Sequence, residues 1–143
     1  MVKIGNDELK CIASFEELTG AAVEDCMLEE NSFTFLVRKG DLGKAIGKGG
    51  QTIQRVRQQF GKNIRVVENA EEIEKFAANL FAPVNVFEVK VQEKDGKKHV
   101  TVVVNEKDRG PAIGRDGEKV KMARAMLERR FGAELKLASR SER

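Results

Sequence analysis

An α+β fold built twice is what this sequence of 143 residues predicts, and two observations carry the prediction. The first is an internal repeat: Asp41-Leu42-Gly43-Lys44-Ala45-Ile46-Gly47-Lys48-Gly49-Gly50 returns as Asp108-Arg109-Gly110-Pro111-Ala112-Ile113-Gly114-Arg115-Asp116-Gly117, displaced by 67 residues, from 41 to 108. The second is that the segments around both copies follow one order, helix, strand, strand, helix, turn, helix, strand.

In the first unit, Asp7 to Leu18 carries Leu9, Ile12, Ala13 and Phe15 at helical spacing and stops near Gly20, as helices commonly do at glycine. Ala22 to Leu28 and Ser32 to Arg38 predict the strands of a hairpin, with Phe33, Phe35 and Val37 on one face. A short helix from Asp41, the glycine turn, a helix over Gly50 to Phe60 and a strand over Asn63 to Val67 follow. In the second unit, Ala70 to Phe81 predicts the opening helix, and Asn85 to Gln92 pairs with Lys98 to Asn105 across Lys94-Asp95-Gly96-Lys97. The Asp-Gly pair is a strong hairpin signal. The helix after the second turn, ending at Phe131, is four residues longer than its counterpart. That is about one helical turn, so its apolar face stays in register. Both helices end in Phe-Gly and lead into an alternating strand, the second over Glu134 to Leu137. The domain boundaries predicted are 1–68 and 69–143, the latter closing in a short charged tail.

Composition bounds the chemistry. The chain is 41% hydrophobic and 34% charged, as soluble globular proteins are, and no apolar run reaches the length of a membrane span or secretory signal. A cytoplasmic protein without membrane contact is expected. Net charge is +3, but residues 1–40 carry −4, 41–66 carry +5, 67–106 carry −3 and 107–137 carry +4. Positive charge thus recurs with the glycine motif, the pattern of a polyanion-binding face repeated once per unit. His99 is the single histidine and reads as a surface or strand residue. Cys11 and Cys26 lack metal-site spacing and read as reduced, mostly buried thiols, with a mutual disulfide as the alternative. Without a clustered ligand or catalytic set, no metal, no cofactor and no enzymatic activity are expected. The glycine turn also lacks the spacing and the Lys-[Ser/Thr] of a nucleotide-binding P-loop. There is no Trp or Tyr, and the eight Phe pattern as core. Recognition by aromatic stacking is therefore not expected.

Gly-[Lys/Arg]-x-Gly at the start of a helix exposes backbone N–H groups beside one cation, the arrangement of a phosphate clamp. An Ile-Gly-[Lys/Arg]-x-Gly turn that joins two helices and precedes a strand resembles a KH domain, and the helix and hairpin ahead of it resemble the prokaryotic, type II arrangement. Two such units in tandem from about Asp7 to Leu137 resemble the archaeal NusA-like transcription factors. The resemblance implies two tandem type II KH domains, each a three-stranded sheet with helices packed on one face. It also implies a partner, single-stranded RNA, held at about four nucleotides per domain. The implied role is regulation of transcription elongation, termination or antitermination by a monomer, with RNA polymerase as the candidate protein partner. Bacterial NusA proteins carry further polymerase-binding and S1-type modules, and this chain is expected to hold neither. A KH protein of ribosome assembly or RNA processing shares the chemistry and stays open as the alternative.

Carried onto this sequence, the clamps are Gly47-Lys48-Gly49-Gly50 and Gly114-Arg115-Asp116-Gly117. Gly47 and Gly114 are expected to end the preceding helix in a left-handed conformation and leave room for the sugar-phosphate chain. Gly50 and Gly117 are expected to open the next helix, and Lys48 and Arg115 to neutralise phosphate. Ile46, Ile53 and Ile64, with Ile113, Val120 and Leu135, are placed either to floor a base-binding groove or to serve the core alone. Lys44, Arg55, Lys62, Arg65 and Lys119 are candidate auxiliary contacts. Asp116 puts a carboxylate inside the second clamp, which weakens it relative to the first.

Almost no chain separates Glu68 from Ala70, and no Gly/Ser/Pro-rich linker joins the units. A rigid tandem is expected. NMR relaxation should return one correlation time for both halves, and either half alone should melt below the intact protein. Independent tumbling with undiminished stability of each half is the opposing result.

Overall fold

The computed structural model describes residues 5–141. The chain divides into two compact units, Met1–Ala70 and Glu71–Arg143, each with its own three-stranded sheet.

The first unit runs α1 (Asn6–Thr19), β1 (Val23–Leu28), β2 (Ser32–Val37), α2 (Leu42–Ile46), α3 (Gln51–Phe60) and β3 (Asn63–Glu68). The sheet order is β1-β2-β3, with β1 antiparallel and β3 parallel to the central β2. A parallel pair needs a crossover connection. Here α2 and α3 supply it, so the glycine turn between them belongs to the link from the central strand to an edge strand.

Phe33, Phe35 and Val37 share one face of β2 and belong to the core that α1, α2 and α3 cover. Phe15 of α1 stacks on Phe35 with ring centroids 4.2 Å apart, and Phe60 of α3 lies 5.8 Å from Phe35 and 5.7 Å from Phe33. Such pairs contribute roughly 0.5–1.5 kcal/mol each beyond the area they bury. They also correct the expected face of α1. Leu9 is 52% exposed and Ala13 is exposed, whereas Cys11, Ile12, Phe15 and Leu18 turn inward. Apolar residues occupy more than one side of this helix, so spacing alone does not choose between them. The Phe15–Phe35 stack sets the rotation. Cys11 and Cys26 are thiols not joined in a disulfide.

The second unit runs α4 (Ile73–Leu80), β4 (Val86–Lys94), β5 (Lys97–Asn105), α5 (Arg109–Ile113), α6 (Glu118–Phe131) and β6 (Glu134–Arg140), with sheet order β4-β5-β6 and the same mixture of pairings. Asp95 and Gly96 join β4 to β5 with φ of 54° and 77°, as a two-residue hairpin turn of the primed type requires. α6 has 14 residues and α3 has 10, and both end on a left-handed glycine, Gly132 and Gly61. α6 buries Val120, Met122, Ala123, Met126 and Leu127. α4 starts later than the sequence predicts. The Asn69 N–H donates to the Val37 carbonyl and its side chain accepts from the Ala70 N–H, which holds these residues as an extension of β3. β6 runs on to Arg140, beyond the predicted Leu137, because its parallel register with β5 continues to Asn105.

Asp41 ties the first unit together ahead of its turn. Its backbone carbonyl accepts from Lys44 and Ala45 at the start of α2. Its buried carboxylate accepts the Ala22 N–H at 2.8 Å and lies 3.3 Å from the Arg38 guanidinium and 3.8 Å from the Lys44 ammonium. The Ala22 hydrogen bond, with help from Arg38 and Lys44, holds this carboxyl below the usual aspartate range against the opposing effect of burial. Asp108 occupies the same place in the second unit, but Asn105 and Pro111 stand where Arg38 and Lys44 stand in the first. Asp108 Oδ2 is buried without a hydrogen-bond partner. A carboxyl with a depressed pKa adds stability above its unfolded pKa and loses it as pH falls through the folded value. Asp41→Asn should therefore lower the melting temperature at neutral pH, and the gap from the parent protein should narrow as pH drops below about 4, measured by thermal melts across an acid series. A gap independent of pH would mean that the charge of Asp41 is irrelevant.

Candidate nucleic-acid interface

Each glycine turn is a short reversal between two helices. α2 closes with the Gly47 N–H donating to the Gly43 carbonyl at 2.8 Å, and a single 3-10 turn, Lys48–Gly50, then leads into α3. Gly50 donates to the Gly47 carbonyl at 3.1 Å. The N–H groups of Lys48 and Gly49 follow the Gly47 carbonyl that accepts from Gly50, at the positions where a helix start leaves donors without an intrahelical acceptor. Gly50 is the N-cap of α3 in the left-handed conformation, and Gly117 plays the same part for α6. This is the helix-opening role that the sequence predicts.

The two turns superpose angle by angle. Gly47 has φ 76°, ψ 169° and Gly114 has φ 80°, ψ 172°. Gly49 has φ 61°, ψ 19° and its counterpart Asp116 has φ 55°, ψ 25°. Two details differ from expectation. Gly47 and Gly114 have positive φ, but their ψ places them in the region that is essentially glycine's alone rather than in the left-handed helical region. The space left by their missing side chains is also filled by the protein itself. A Cβ on Gly47 would lie 2.2 Å from Thr52 Oγ1 and 2.8 Å from the Thr52 N atom, and one on Gly114 would lie 2.7 Å from Lys119 Cβ. These glycines let the next helix begin against the end of the last one. Gly49 is different, because nothing lies within 4 Å of a Cβ placed there.

Lys48 and Arg115 are exposed at the tips of the turns, and among the described residues neither is ion-paired. Lys44 is one turn before the clamp and shares its charge with Asp41. Arg55 is exposed on α3, opposite the buried Ile53 and Val56. Lys62 lies past the far end of α3, roughly 15 Å along the helix axis from the turn, where its Nζ donates to the Glu30 carbonyl and approaches the Phe33 ring at 5.8 Å. Arg65 bonds to Ser32 Oγ at 3.3 Å, on the sheet face turned away from Ile64 and Val66 and hence from the helices. Lys119 donates to the Ala82 carbonyl at 3.1 Å, so this candidate contact is engaged within its own unit.

The apolar candidates separate into two groups. Ile53, Ile64, Val120 and Leu135 are buried, whereas Ile46 and Ile113 keep part of their surface beside the clamps. Val66 and Leu137, on the open edge strands, are also partly exposed, and Val66 packs toward the helices. The sequence gives no sign of these two, because alternation marks the face of a strand but not which edge is left uncovered. Among the described residues no helix is long and apolar enough to cross a membrane, and no group of three or more His, Cys, Asp or Glu is placed to hold a metal ion.

Helix, hairpin, helix, Gly-x-x-Gly turn, helix and parallel edge strand, twice over, is also what comparison with known proteins returns. Residues 12–96 match the KH domain family, and residues 73–142 match the NusA-like second KH domain. The chain is 38% identical to the probable transcription termination protein NusA of Halococcus morrhuae over 91% of this chain and 93% of that protein. The protein of the same description from Methanocaldococcus jannaschii is 33% identical over 90% of this chain and 70% of that one. The chain belongs to the archaeal NusA family of KH proteins. Its backbone agrees with the crystal structure of APE1850 at a TM-score of 0.77 and 40% identity, covering 96% of this chain and all of the other.

Within this family framework the inner glycine position, Gly49 or Asp116, and the outer one, Gly47 or Gly114, have different tasks. Gly47→Ala should destabilise the first KH unit by about 2–4 kcal/mol, through its backbone conformation and the clash with Thr52. Gly49→Asp should change stability by no more than ~1 kcal/mol, since Asp tolerates the left-handed region and Asp116 already adopts it. Chemical denaturation of both variants checks the contrast; equal losses would contradict it.

Proposed function

We propose that this NusA-family protein binds single-stranded RNA through its two Gly-x-x-Gly turns and acts on nascent transcripts in elongation, termination or antitermination. The observation that carries this reading is the exposed, unpaired cation at each turn, set next to a partly exposed isoleucine at the start of a helix, where the first N–H groups lack intrahelical acceptors. A phosphate would meet the N–H groups and the positive helix end, Lys48 or Arg115 would neutralise it, and the neighbouring base would lie over Ile46 or Ile113 toward the edge strand. The names carried by the relatives from Halococcus and Methanocaldococcus support the transcriptional role.

The turns are not equal. Gly49 leaves the first clamp open, whereas Asp116 sets a carboxylate where phosphate would approach the second. The first unit is therefore the stronger RNA site. RNA polymerase is the protein partner that fits this role, and the protein acts as a monomer in the cytoplasm. Co-purification from native cells, scored for RNA polymerase against ribosomal subunits, separates this role from ribosome assembly.

Lys48→Asp with Gly49→Asp should abolish or strongly weaken binding of single-stranded RNA, read by fluorescence anisotropy, while the melting temperature stays close to that of the parent. Arg115→Asp should cost less affinity. Binding should fall steeply with salt, by more than one counterion's slope, and duplex RNA should bind more weakly than a single strand. Unaltered affinity in the first variant would exclude the turn as the binding site.

A further inference from the structure

The sequence places every Phe in the core, and the structure does not. Phe87 is 53% exposed. The register of β4 against β5 shifts between Val86 and Glu88, which makes Phe87 the extra residue of a β-bulge, a feature that commonly re-aims a side chain. On the far side of β5, Arg140 at the end of β6 pairs in register with Asn105 and bonds to its Oδ1 at 3.3 Å. The Arg140 guanidinium then reaches across the central strand and lies over the Phe87 ring, 4.0 Å from its centroid.

The corresponding place in the first unit shows what the fold itself requires. The β1 register shifts between Val23 and Asp25, so Glu24 occupies the position of Phe87, and Asn69 after β3 occupies that of Arg140. Glu24 and Asn69 join by a hydrogen bond of 2.6 Å. A polar pair thus suffices to link the outer strands over the middle one, and a half-exposed aromatic ring under a guanidinium is an addition peculiar to the second unit.

Its surroundings suit a polyanion. The outward residues of β6 are Glu134, Lys136, Ala138 and Arg140, alternating with the inward Leu135 and Leu137. Of the carboxylates on this face, Glu134 lies 3.1 Å from His99 Nδ1 and 3.9 Å from Lys97, which is shared with Glu128 at 3.3 Å, and Glu88 lies 4.0 Å from Lys90. Among the described residues Lys136 has no ion-pair partner. It lies in register with Thr101, roughly 13 Å along the strand from Arg140. An exposed ring, a guanidinium stacked on it and a further free cation are the parts of a stacking platform for a single strand.

We propose that the outer sheet face of the second unit, opposite α5 and α6, is a further contact for single-stranded RNA, on which a nucleobase stacks against Phe87 while Arg140 and Lys136 meet neighbouring phosphates. This rests on the RNA binding proposed above and adds a site apart from both turns.

Because the chain contains no Trp, Phe87→Trp provides a unique fluorophore at the site. Its emission should be quenched by a single-stranded RNA of about 20 nucleotides over the concentration range in which anisotropy reports binding. Phe87→Leu, which keeps an apolar side chain on the bulge, should weaken binding of that RNA about fivefold or more. It should leave binding of an RNA of roughly four nucleotides, the length one KH turn holds, unchanged. Unchanged affinity of a folded Phe87→Leu variant for the longer RNA overturns the proposal, as does unquenched Trp emission with RNA bound; in both cases RNA binding by the turns stands. Absence of any RNA binding by the parent protein removes the proposed function and this inference together. Loss of co-purified RNA polymerase in Phe87→Leu, with RNA affinity intact, assigns the face to a protein instead.

Discussion

Each unit depends on a close approach that only glycine permits. At Gly47 and Gly114 the end of one helix meets the first turn of the next, with Thr52 or Lys119 occupying the volume a side chain would need. If the helices stood further apart, the crossover would lengthen and the edge strand would lose its parallel register with the central one. The same approach places a helix start, whose first N–H groups have no intrahelical acceptor, at the head of α3 and of α6. Structural economy and ligand chemistry therefore come from one feature. The glycine makes room for the protein itself, and the surface proposed to face RNA is what remains on the other side.

Around that shared constraint the units have diverged in their charges. Asp41 anchors the first turn by a backbone hydrogen bond with two cations nearby, whereas Asp108 keeps the position and lacks both cations, one of its oxygens being buried and unpartnered. Inside the turn the asymmetry points the same way, since Asp116 brings negative charge where Gly49 brings none. The repeat preserves backbone geometry to within a few degrees and varies the electrostatics. This is what the two proposed sites, alike in architecture and unequal in affinity, require. The outer faces differ as well, with Glu24–Asn69 on one and Phe87–Arg140 on the other.

Much of this was legible from residue order. The Asp95-Gly96 turn, the helix stops at Gly61 and Gly132, the extra turn of α6 and the doubled clamp all follow from local rules, because glycine at positive φ and the 3.6-residue period act over a few residues. The misreadings arose where a distant residue decides. Leu9 and Ala13 lost the inner face of α1 to Cys11 and Leu18 because Phe15 found Phe35. α4 begins late because Asn69 is held by Val37, far away in sequence. Phe87 departs from the core because a bulge, visible only in the pairing of two strands, turns it outward.

The sequence by itself determined the existence and order of the elements, the doubling of the unit, and the identity of both turns, since each is encoded in short-range steric preference and in repetition. Tertiary structure alone decided which candidate side chains are available. Lys62, Arg65 and Lys119 are committed to neighbours within their own units, Ile53 and Val120 are buried, and Lys48, Arg115, Ile46 and Ile113 remain at the surface. Availability depends on what a folded chain brings alongside each group. Those neighbours come from other elements, so no local pattern in the sequence records them.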